Sequence, residues 1–455
     1  MNALRWAWVN LMKDFSAFFA AYGRGAFPAG FGVYPQSVHA AEGGGLVCMA
    51  DAGDFDMLVA SGACKVAFHG MDYGTYTVAP LTHGTALVLR RLFPFTRPVP
   101  VLSRPQSCGV GDRLGIAGDG LLRAFAQCNV APVLAQQSVR ELTLTGRGFA
   151  DVLDAASFAV FRNGYTGGFG ADGDHLKTLA DIRDALDLGY TMITLDCSEH
   201  IRADGETDAA IYDAAIAFAV RIWETFFKDG HYSAELEISI DETETPTTPA
   251  QHRYIAEKLQ GAGVRFASLA PRFCGQFQKG VDYRGDLAQF ERELIAHAAI
   301  AKEEGYKLSI HSGSDKFSVF PIIAKHCTCF HLKTAGTNWL EAMRVCAEKE
   351  PDLYRRAHAY ALEIFAEARK YYHVSTDLTR IPPLPSLSDT ELPALLDADD
   401  ARQLIHITYG FILQNPALRA ALFALWRRER ETYACALHKH IGRHLSLITG
   451  KPLRG

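Results

Sequence analysis

Several short apolar runs of this sequence end in residues that can bind metals or transfer protons. In "SIHSGSDKFSVF" (309–320), His311, Asp315 and Lys316 follow directly after the β-type run "YKLSI". Other runs end in a histidine or a carboxylate, at His175, Asp241, Glu242 and His331. Imidazoles and carboxylates bind Zn²⁺, Mn²⁺ and similar ions, and they also serve as general acids and bases. These runs therefore predict a metal-assisted reaction if the fold brings their ends together.

Strand alternation gives these side chains a direction. Successive side chains of a strand point to opposite faces, so His331 shares a face with Lys333, and Asp241 shares one with Glu237. We expect these faces, and His311, to point into the same interior. The candidate ligands of a divalent ion (Zn, Mn, Ni or similar) are three histidines and one of two neighbouring carboxylates: His175, His311, His331, and Asp241 or Glu242. Each histidine taken alone is equally compatible with an ordinary structural hydrogen bond.

The elements that must position these residues alternate along the middle of the chain. Between residues 105 and 345, eight strand-like runs are separated by helical patterns, which predicts a (β/α)8 TIM-type barrel. The first and third strands have the weakest patterns, and a doubly wound open sheet is the alternative fold. Residues 1–104 predict a small N-terminal α+β segment, and residues 346–455 predict a helical extension packing on the barrel.

A barrel carries its catalytic groups at the carboxyl ends of its strands. Polar residues stand at all of the predicted ends. Those not yet mentioned are Asp112, Arg113, Gln137, Arg140, Glu141, Asp172, Asp174, Asp196, Glu199, His200 and Arg272. A solvated loop rim would also be polar, but it would not place a histidine, aspartate or arginine so regularly after each buried run.

Composition narrows the classes of partner. The 455 residues carry a net charge of −5 without a concentrated basic patch, which argues against nucleic-acid and anionic-membrane partners. The ten cysteines are irregularly spaced, as expected for free thiols in a reducing compartment. No apolar run approaches the about 18 residues of a membrane span, so we expect a cytoplasmic protein. The glycines of "GFGADGDH" suit tight backbone at a strand end rather than a dinucleotide site, and no GK[ST] is present, so no nicotinamide is expected; a homo-oligomer is allowed but not specified.

The motifs themselves resemble a known family. "GADGDHLKT", "DETETPTTP", "HSGSDKFS" and "HLKTAGTNWLEA", with "VLAQQSVRE" and "HITYG", are similar to those of the tagaturonate epimerase family over about residues 105–415. Gly173 stands in "GADGDH" where the family would have alanine. The resemblance implies a metal-dependent barrel enzyme, an isomerase that inverts C4 of a 2-keto sugar acid and interconverts tagaturonate and fructuronate. Because related enzymes act on uncharged ketohexoses (tagatose/fructose), the small-molecule substrate is a sugar acid or a neutral sugar.

The resemblance implies the acid–base residues, and the chemistry of the reaction suggests roles for the others. Glu141 and an aspartate of "GADGDH", Asp174, are the acid–base candidates. Lys316 and Lys333 are candidates for stabilising an oxyanion, and Arg140 or Arg272 for binding a carboxylate. The remaining candidates for substrate contact, or for support of the metal ligands, are Gln137, Asp172, Ser312, Asp315 and Thr334.

The chemistry favours one route to C4 inversion. The C4 hydrogen is not α to the C2 carbonyl, so retro-aldol cleavage of C3–C4 and re-addition is the expected mechanism. Transient oxidation at C4 and migration of the carbonyl to C3 are the other routes. A metal-dependent sugar isomerase or a class II-type aldolase would use a similar site, and a catalytically inactive sugar-binding regulator is the alternative from another class.

Overall fold

The computed structural model describes residues 13–453. The chain divides into two compact units, one formed by residues up to 97 with 154–167, and one formed by 98–153 with 168 onward. Residues 1–12 of the predicted N-terminal segment lie outside the described residues.

The first unit contains a small antiparallel sheet with strand order β1-β2-β3-β5-β4. Its strands are β1 (His39–Ala40), β2 (Leu46–Asp51), β3 (Asp56–Ser61), β4 (Met71–Asp72) and β5 (Tyr76–Pro80). Two helices, α1 (Phe15–Tyr22) and α2 (His83–Leu92), belong to the same unit. Met49, Leu58, Ala79 and Leu89 form part of its apolar core, so the predicted α+β character is confirmed.

The second unit is built on a closed barrel of eight parallel strands. In chain order they are β6 (Gln106–Gly111), β7 (Ala131–Ser138), β8 (Gly170–Leu176), β9 (Met192–Asp196), β10 (Glu235–Ile240), β11 (Ser268–Pro271), β12 (Lys307–Ile310) and β13 (Phe330–Ala335). Each predicted strand is present, and β13 pairs with β6 to close the barrel. The TIM-type prediction is therefore confirmed, and the open sheet is excluded.

Helices connect the strands and continue after the barrel. Those that follow β6 to β12 are α3 (Gly118–Phe125), α4 (Val139–Thr145), α5 (Phe149–Asn163), α6 (Leu179–Asp187), α7 (Asp208–Ile222), α8 (Pro249–Gly261), α9 (Leu287–Glu304) and α10 (Phe320–His326). Those after β13 are α11 (Thr337–Lys349), α12 (Pro351–Ala368), α13 (Asp399–Ile407), α14 (Tyr409–Gln414), α15 (Pro416–Arg428) and α16 (Arg430–Thr449). The C-terminal region is thus helical, as predicted.

Local sequence signals fix where the connecting helices begin. Thr248 caps α8 by accepting a hydrogen bond from the backbone N–H of Gln251, the Gln251 side chain accepts from the Thr248 N–H, and Pro249 occupies the first helical position. Ser138, the last residue of β7, caps α4 through the N–H of Glu141. This cap places Glu141 in the first turn after the strand.

The interior of the barrel is polar, which is unusual for a protein core. Inward positions carry buried charged side chains at several heights, including Asp172, Glu237, Lys307 and Lys333. Buried charges require partners, and the following section describes how those near the carboxyl ends of the strands are paired. Within residues 13–453, we find no helix with the length and apolar character needed to cross a membrane.

Candidate metal centre and active site

The carboxyl ends of the barrel strands open into a cavity of about 680 Å³. This volume is within the range of small-molecule sites. The walls carry many of the residues singled out from the sequence: Arg140, Glu141, Asp174, His175, Asp241, Glu242, Arg272, His311, Ser312, Lys333 and Thr334. A segment after α12, with Tyr371, Tyr372 and His373, lines the same cavity.

His311 follows β12 and has a carboxylate on each ring nitrogen. Its Nε2 lies 2.7 Å from Oε1 of Glu237, and its Nδ1 lies 2.9 Å from Oδ1 of Asp241. Burial alone would lower the pKa of His311, but Asp241 and Glu237 raise it above its usual value. Glu237 is fully buried and does not line the cavity, whereas Asp241 does. Of the two ring nitrogens of His311, Nδ1 is therefore the one beside a residue that lines the cavity.

His175 reaches the same point from β8. Its Nδ1 lies 2.7 Å from Oδ1 of Asp174, and its Nε2 lies 3.7 Å from Oδ1 of Asp241. The residue has a positive φ of 54°, and the pairing of β8 with β9 shifts register between Gly173 and Leu176. This irregularity breaks the alternation, so that adjacent Asp174 and His175 both line the cavity. A non-glycine residue in this conformation is strained, and such strain is concentrated at functional sites.

The two rings and the Asp241 carboxylate form a donor set that fits a divalent ion. One donor atom from each of His175, Asp241 and His311 lies within 4.8 Å of the others. Two ligands of one zinc ion, each at about 2.1 Å, lie roughly 3.4 Å apart, close to the 2.9 and 3.7 Å separations from Asp241. The opposite nitrogen of each ring contacts another carboxylate, as metal-binding histidines usually require. Three protein donors also leave coordination positions for a substrate.

Two of the predicted ligands are not in this group. His331 points into the barrel as alternation predicted, but β13 pairs it with Ser309, two residues before His311, so it lies deeper. Its Nδ1 contacts the Ser107 hydroxyl at 2.9 Å, and burial lowers its pKa to about 3. Glu242 lines the cavity, but it lies 3.7 Å from Arg140.

Lys333 holds a buried group of carboxylates beside the candidate metal centre. Its Nζ lies 2.6 Å from Asp172, 2.6 Å from Asp174 and 3.3 Å from Glu237, and it donates to the Thr194 hydroxyl. Burial would raise the pKa of Asp174, but Lys333 and the neighbouring imidazole lower it well below its usual value. Burial raises the pKa of Asp172 to about 6 against the opposing effect of Lys333. The ammonium therefore keeps Asp174 ionised at the cavity wall.

Glu141 faces the cavity from the first turn of α4. Arg113 donates from Nε to Oε1 of Glu141 at 2.8 Å, and both side chains are buried. The guanidinium also lies 3.7 Å from the centroid of the Tyr409 ring and donates to the His406 carbonyl. Arg113 thus fixes one carboxylate oxygen of Glu141. The sequence marked Arg113 as a strand-end residue but did not identify it as the partner of Glu141.

Asp315 and Lys316, expected at the pocket, do not line the described cavity. Asp315 has a positive φ of 58° and accepts a 2.5 Å hydrogen bond from Arg402 Nη2. His440 Nε2 lies 2.8 Å from Asp315, and Nε2 of His444 accepts the Asp315 backbone N–H at 3.0 Å. This second group of two histidines and a carboxylate does not fit a cation, because Arg402 already occupies the carboxylate and His444 has used its lone pair. Lys316 is buried and donates only to backbone carbonyls.

The predicted substrate contacts divide between the cavity and the barrel wall. Ser312 and Thr334 line the cavity, and so do Arg140 and Arg272. Gln137 is buried away from it, and its neighbour Gln136 is the glutamine that lines the cavity. Gln136 donates from Nε2 to the Thr334 carbonyl at 3.1 Å. Asp172 lies beneath the cavity as a partner of Lys333.

A closed parallel barrel with its polar groups at the carboxyl ends of the strands defines a (β/α)8-barrel enzyme of the kind that works on small molecules. A family model described as tagaturonate epimerase matches residues 34–208 and 202–448. This chain belongs to the tagaturonate epimerase family, whose named members are enzymes of the isomerase class.

Individual relatives agree with this assignment. The chain is 41% identical to the tagaturonate/fructuronate epimerase of Thermotoga maritima, over 81% of this chain and 85% of that protein. The native crystal structure of fructuronate-tagaturonate epimerase from Cohnella laeviribosi is 44% identical, with a TM-score of 0.91 over 95% of this chain and 99% of that one. A crystal structure of the same Cohnella protein with one glycerol gives a TM-score of 0.90 at the same identity and coverage.

Proposed function

We propose that this chain is a metal-dependent C4-epimerase that interconverts tagaturonate and fructuronate by breaking and re-forming the C3–C4 bond. The observation that carries the proposal is the convergence of His175, Asp241 and His311 on a cavity that Glu141 and Asp174 also line. The activity named for the relatives supports the substrate pair.

The bond changes follow from the position of the carbonyl. Carbons are numbered from the end nearer the ketone, so the carbonyl is C2 and the carboxylate is C6. Removal of the C4 hydroxyl proton lets C4 become an aldehyde while the C3–C4 bond breaks. The electron pair stays on C3 and delocalises onto the C2 oxygen as an enediolate. His175, Asp241 and His311 would hold the divalent ion, which would supply Lewis-acid stabilisation of this charge when bound.

Inversion requires the aldehyde to present its other face to C3. We assign proton transfer to Asp174 and Glu141: one carboxylate takes the proton of the C4 hydroxyl, and this proton returns to the C4 oxygen, directly or through the other carboxylate, after the aldehyde has turned. Groups of this kind contribute about 10²–10⁴-fold each. Lys333 contacts Asp174 and adds a positive charge next to the reacting oxygens.

The first test is product analysis of the metal-loaded protein. Incubation with fructuronate, followed by NMR, is expected to yield tagaturonate, and EDTA or His311→Ala is expected to abolish the conversion. His326→Ala is the control, because this histidine binds the surface residue Glu291 at 2.6 Å and does not line the cavity. Accumulation of free three-carbon fragments would instead indicate an aldolase, and a metal-loaded protein that converts nothing would contradict the proposal.

The acid–base assignment has its own test. Glu141→Gln is expected to lower kcat by about 10²–10⁴-fold, because the amide cannot accept the proton. The affinity for the metal should stay within a fewfold, since Glu141 is not in the group of three metal donors. An unchanged kcat would remove Glu141 from the mechanism.

A further inference from the structure

Lys279 is a cation on the cavity wall that the proposed mechanism does not use. Its side chain is half-buried and lines the cavity, and its Nζ lies 3.5 Å from the Ser312 hydroxyl. Ser312 directly follows His311 and has a positive φ of 52°. Among the carboxylates of residues 13–453, none lies within ion-pair distance of Lys279, so its charge is available to an anionic ligand.

The buried ammonium of Lys316 fixes the backbone that carries Lys279. Lys316 Nζ donates to the carbonyls of Gln278 at 2.9 Å, Val281 at 2.6 Å and Ser314 at 2.9 Å. These contacts tie the segment after β11 to the segment after β12. Burial lowers the pKa of Lys316 to about 7, and the three carbonyls are the groups that satisfy its donors.

Two side chains of α13 also donate hydrogen bonds to the backbone of this segment. Arg402 Nε donates to the Gly280 carbonyl at 2.7 Å, and Gln403 Nε2 donates to the Lys279 carbonyl at 3.1 Å. Gly280 has a φ of +77°, and an added Cβ would lie about 3.2 Å from the His406 ring. Lys279 is therefore presented from a rigid backbone, which lowers the entropic cost of binding a ligand there.

Comparison with the other cavity cations singles out Lys279. Arg113 and Lys333 are bound to carboxylates, and Arg140 donates to the Tyr371 carbonyl. Arg272 also lines the cavity and has no ion pair among the described residues. Lys279 differs from Arg272 in that its ammonium contacts Ser312, the residue that follows His311.

We propose that Lys279 binds the C6 carboxylate of the substrate and so sets the preference for a uronate over a neutral ketose. The inference rests on the proposed function and adds the residue that recognises the acid group. C6 lies three C–C bonds beyond C3, a span of roughly 4 Å in an extended substrate. The Lys279 ammonium lies beside Ser312, which directly follows His311, and both line the same cavity; a C6 carboxylate bound there gains charge pairing that a C6 hydroxymethyl group cannot.

The experiment compares Lys279→Met, Lys279→Arg and Arg272→Met in the metal-loaded protein. For each we measure kcat and KM with fructuronate and with fructose, and the Kd of fructuronate by calorimetry. We expect Lys279→Met to lower kcat/KM for fructuronate about 10- to 100-fold, mainly through KM, because it loses a charge-assisted hydrogen bond. The loss with fructose should be at least tenfold smaller, and Lys279→Arg should recover part of the affinity for fructuronate.

Other outcomes overturn the inference. Equal losses on both substrates would make Lys279 a structural residue, and a loss confined to fructuronate in Arg272→Met alone would move the carboxylate site to Arg272. If wild type binds fructuronate without converting it, the proposed function fails while the Kd of Lys279→Met still tests the inference. If wild type turns over fructuronate and Lys279→Met matches it, the inference fails and the function stands. Failure of wild type to bind fructuronate at all would overturn both.

Discussion

Oε1 of Glu237 lies 2.7 Å from Nε2 of His311, and this contact leaves Nδ1 of the same ring toward Asp241. Glu237 is fully buried two strand positions before Ser239 and four before Asp241. Burial would raise its pKa, but Lys333 and His311 lower it well below the usual value. This ionised carboxylate favours a proton on Nε2, so that a metal bound at Nδ1 would displace only the Nδ1 proton.

Glu237→Gln is therefore expected to weaken divalent-metal binding about 10- to 100-fold while the ligand residues remain in place. The amide is nearly isosteric but does not supply the negative charge that stabilises the ring. Competition titration of the apo protein with Zn²⁺ or Mn²⁺ measures the change. Glu235→Gln on the same strand is the matched control, because Glu235 accepts hydrogen bonds from the backbone N–H groups of Val101 and Leu102 instead. Equal weakening in both variants would contradict a specific role for Glu237.

Lys333 is expected to contribute to stability as well as to chemistry. Lys333→Met leaves Asp172, Asp174 and Glu237 without their shared cation, and breaking a buried pair of this kind costs about 3–5 kcal/mol. The low pKa of Asp174 means that its pairing stabilises the fold above the unfolded pKa of about 3.9 and that this contribution is lost as pH falls below it. Urea unfolding at pH 7 measures the loss.

The variant also predicts a pH trend. Without the ammonium, the buried carboxylates gain protons more readily, so the deficit of Lys333→Met relative to wild type should shrink between pH 7 and pH 5. A deficit that is constant over this range would show that the loss comes from packing and not from charge. The surface pair of Lys370 and Glu367 supplies a control, because Lys370→Met should cost less than about 1 kcal/mol.

The succession of strand-like runs and helical patterns was sufficient to predict the barrel. The alternation of side chains along each strand was sufficient to predict that several site residues point inward. His311 and Lys333 line the cavity because the two-residue period of a strand is a local property that the sequence shows directly. The depth of a residue in the barrel depends on register between strands, which is not local. His331 therefore has the predicted face but pairs with Ser309, below the level of His311.

Residues after the strands were harder to predict because the backbone there leaves the extended conformation. Asp315 has a positive φ, and its partners Arg402 and His440 come from helices far along the chain. No sequence pattern near residue 315 indicates those contacts. The position of Asp315 and Lys316 after a strand therefore predicts that both line the pocket, whereas neither lines the described cavity. Lys316 similarly satisfies its charge with carbonyls of the segment after β11.

The Asp315 contacts make a prediction about stability. Asp315→Asn should cost about 3–5 kcal/mol at pH 7, because it leaves buried Arg402 without its counter-charge. Burial would raise the pKa of Asp315, but Arg402 and His440 lower it well below its usual value. Its contribution is thus present above the unfolded pKa of about 3.9 and is lost as pH falls further. The gap between wild type and variant in urea unfolding should narrow from pH 5 toward pH 3.

Asp397→Asn is the control for this prediction. Asp397 pairs with Arg344 at 2.7 Å, but its side chain is largely exposed, so the same substitution should cost less than about 1 kcal/mol. Metal affinity should be retained in both variants, since neither residue belongs to the His175, Asp241 and His311 group. Loss of metal binding in folded Asp315→Asn would instead mean that the carboxylate supports the metal centre through the 311–315 segment.

The route of C4 inversion can be read from hydrogen exchange in D₂O. In retro-aldol cleavage the C4 hydrogen stays on carbon as the aldehyde hydrogen, so tagaturonate formed from fructuronate should carry no deuterium at C4. Migration of the carbonyl to C3 would make the C4 hydrogen acidic and would exchange it with solvent. Proton NMR and mass spectrometry of the product, taken before equilibrium is reached, distinguish these outcomes. Trapping of a three-carbon aldehyde by hydroxylamine during turnover would support cleavage, whereas deuterium at C4 would exclude it and would reassign Asp174 and Glu141 to proton transfer at carbon.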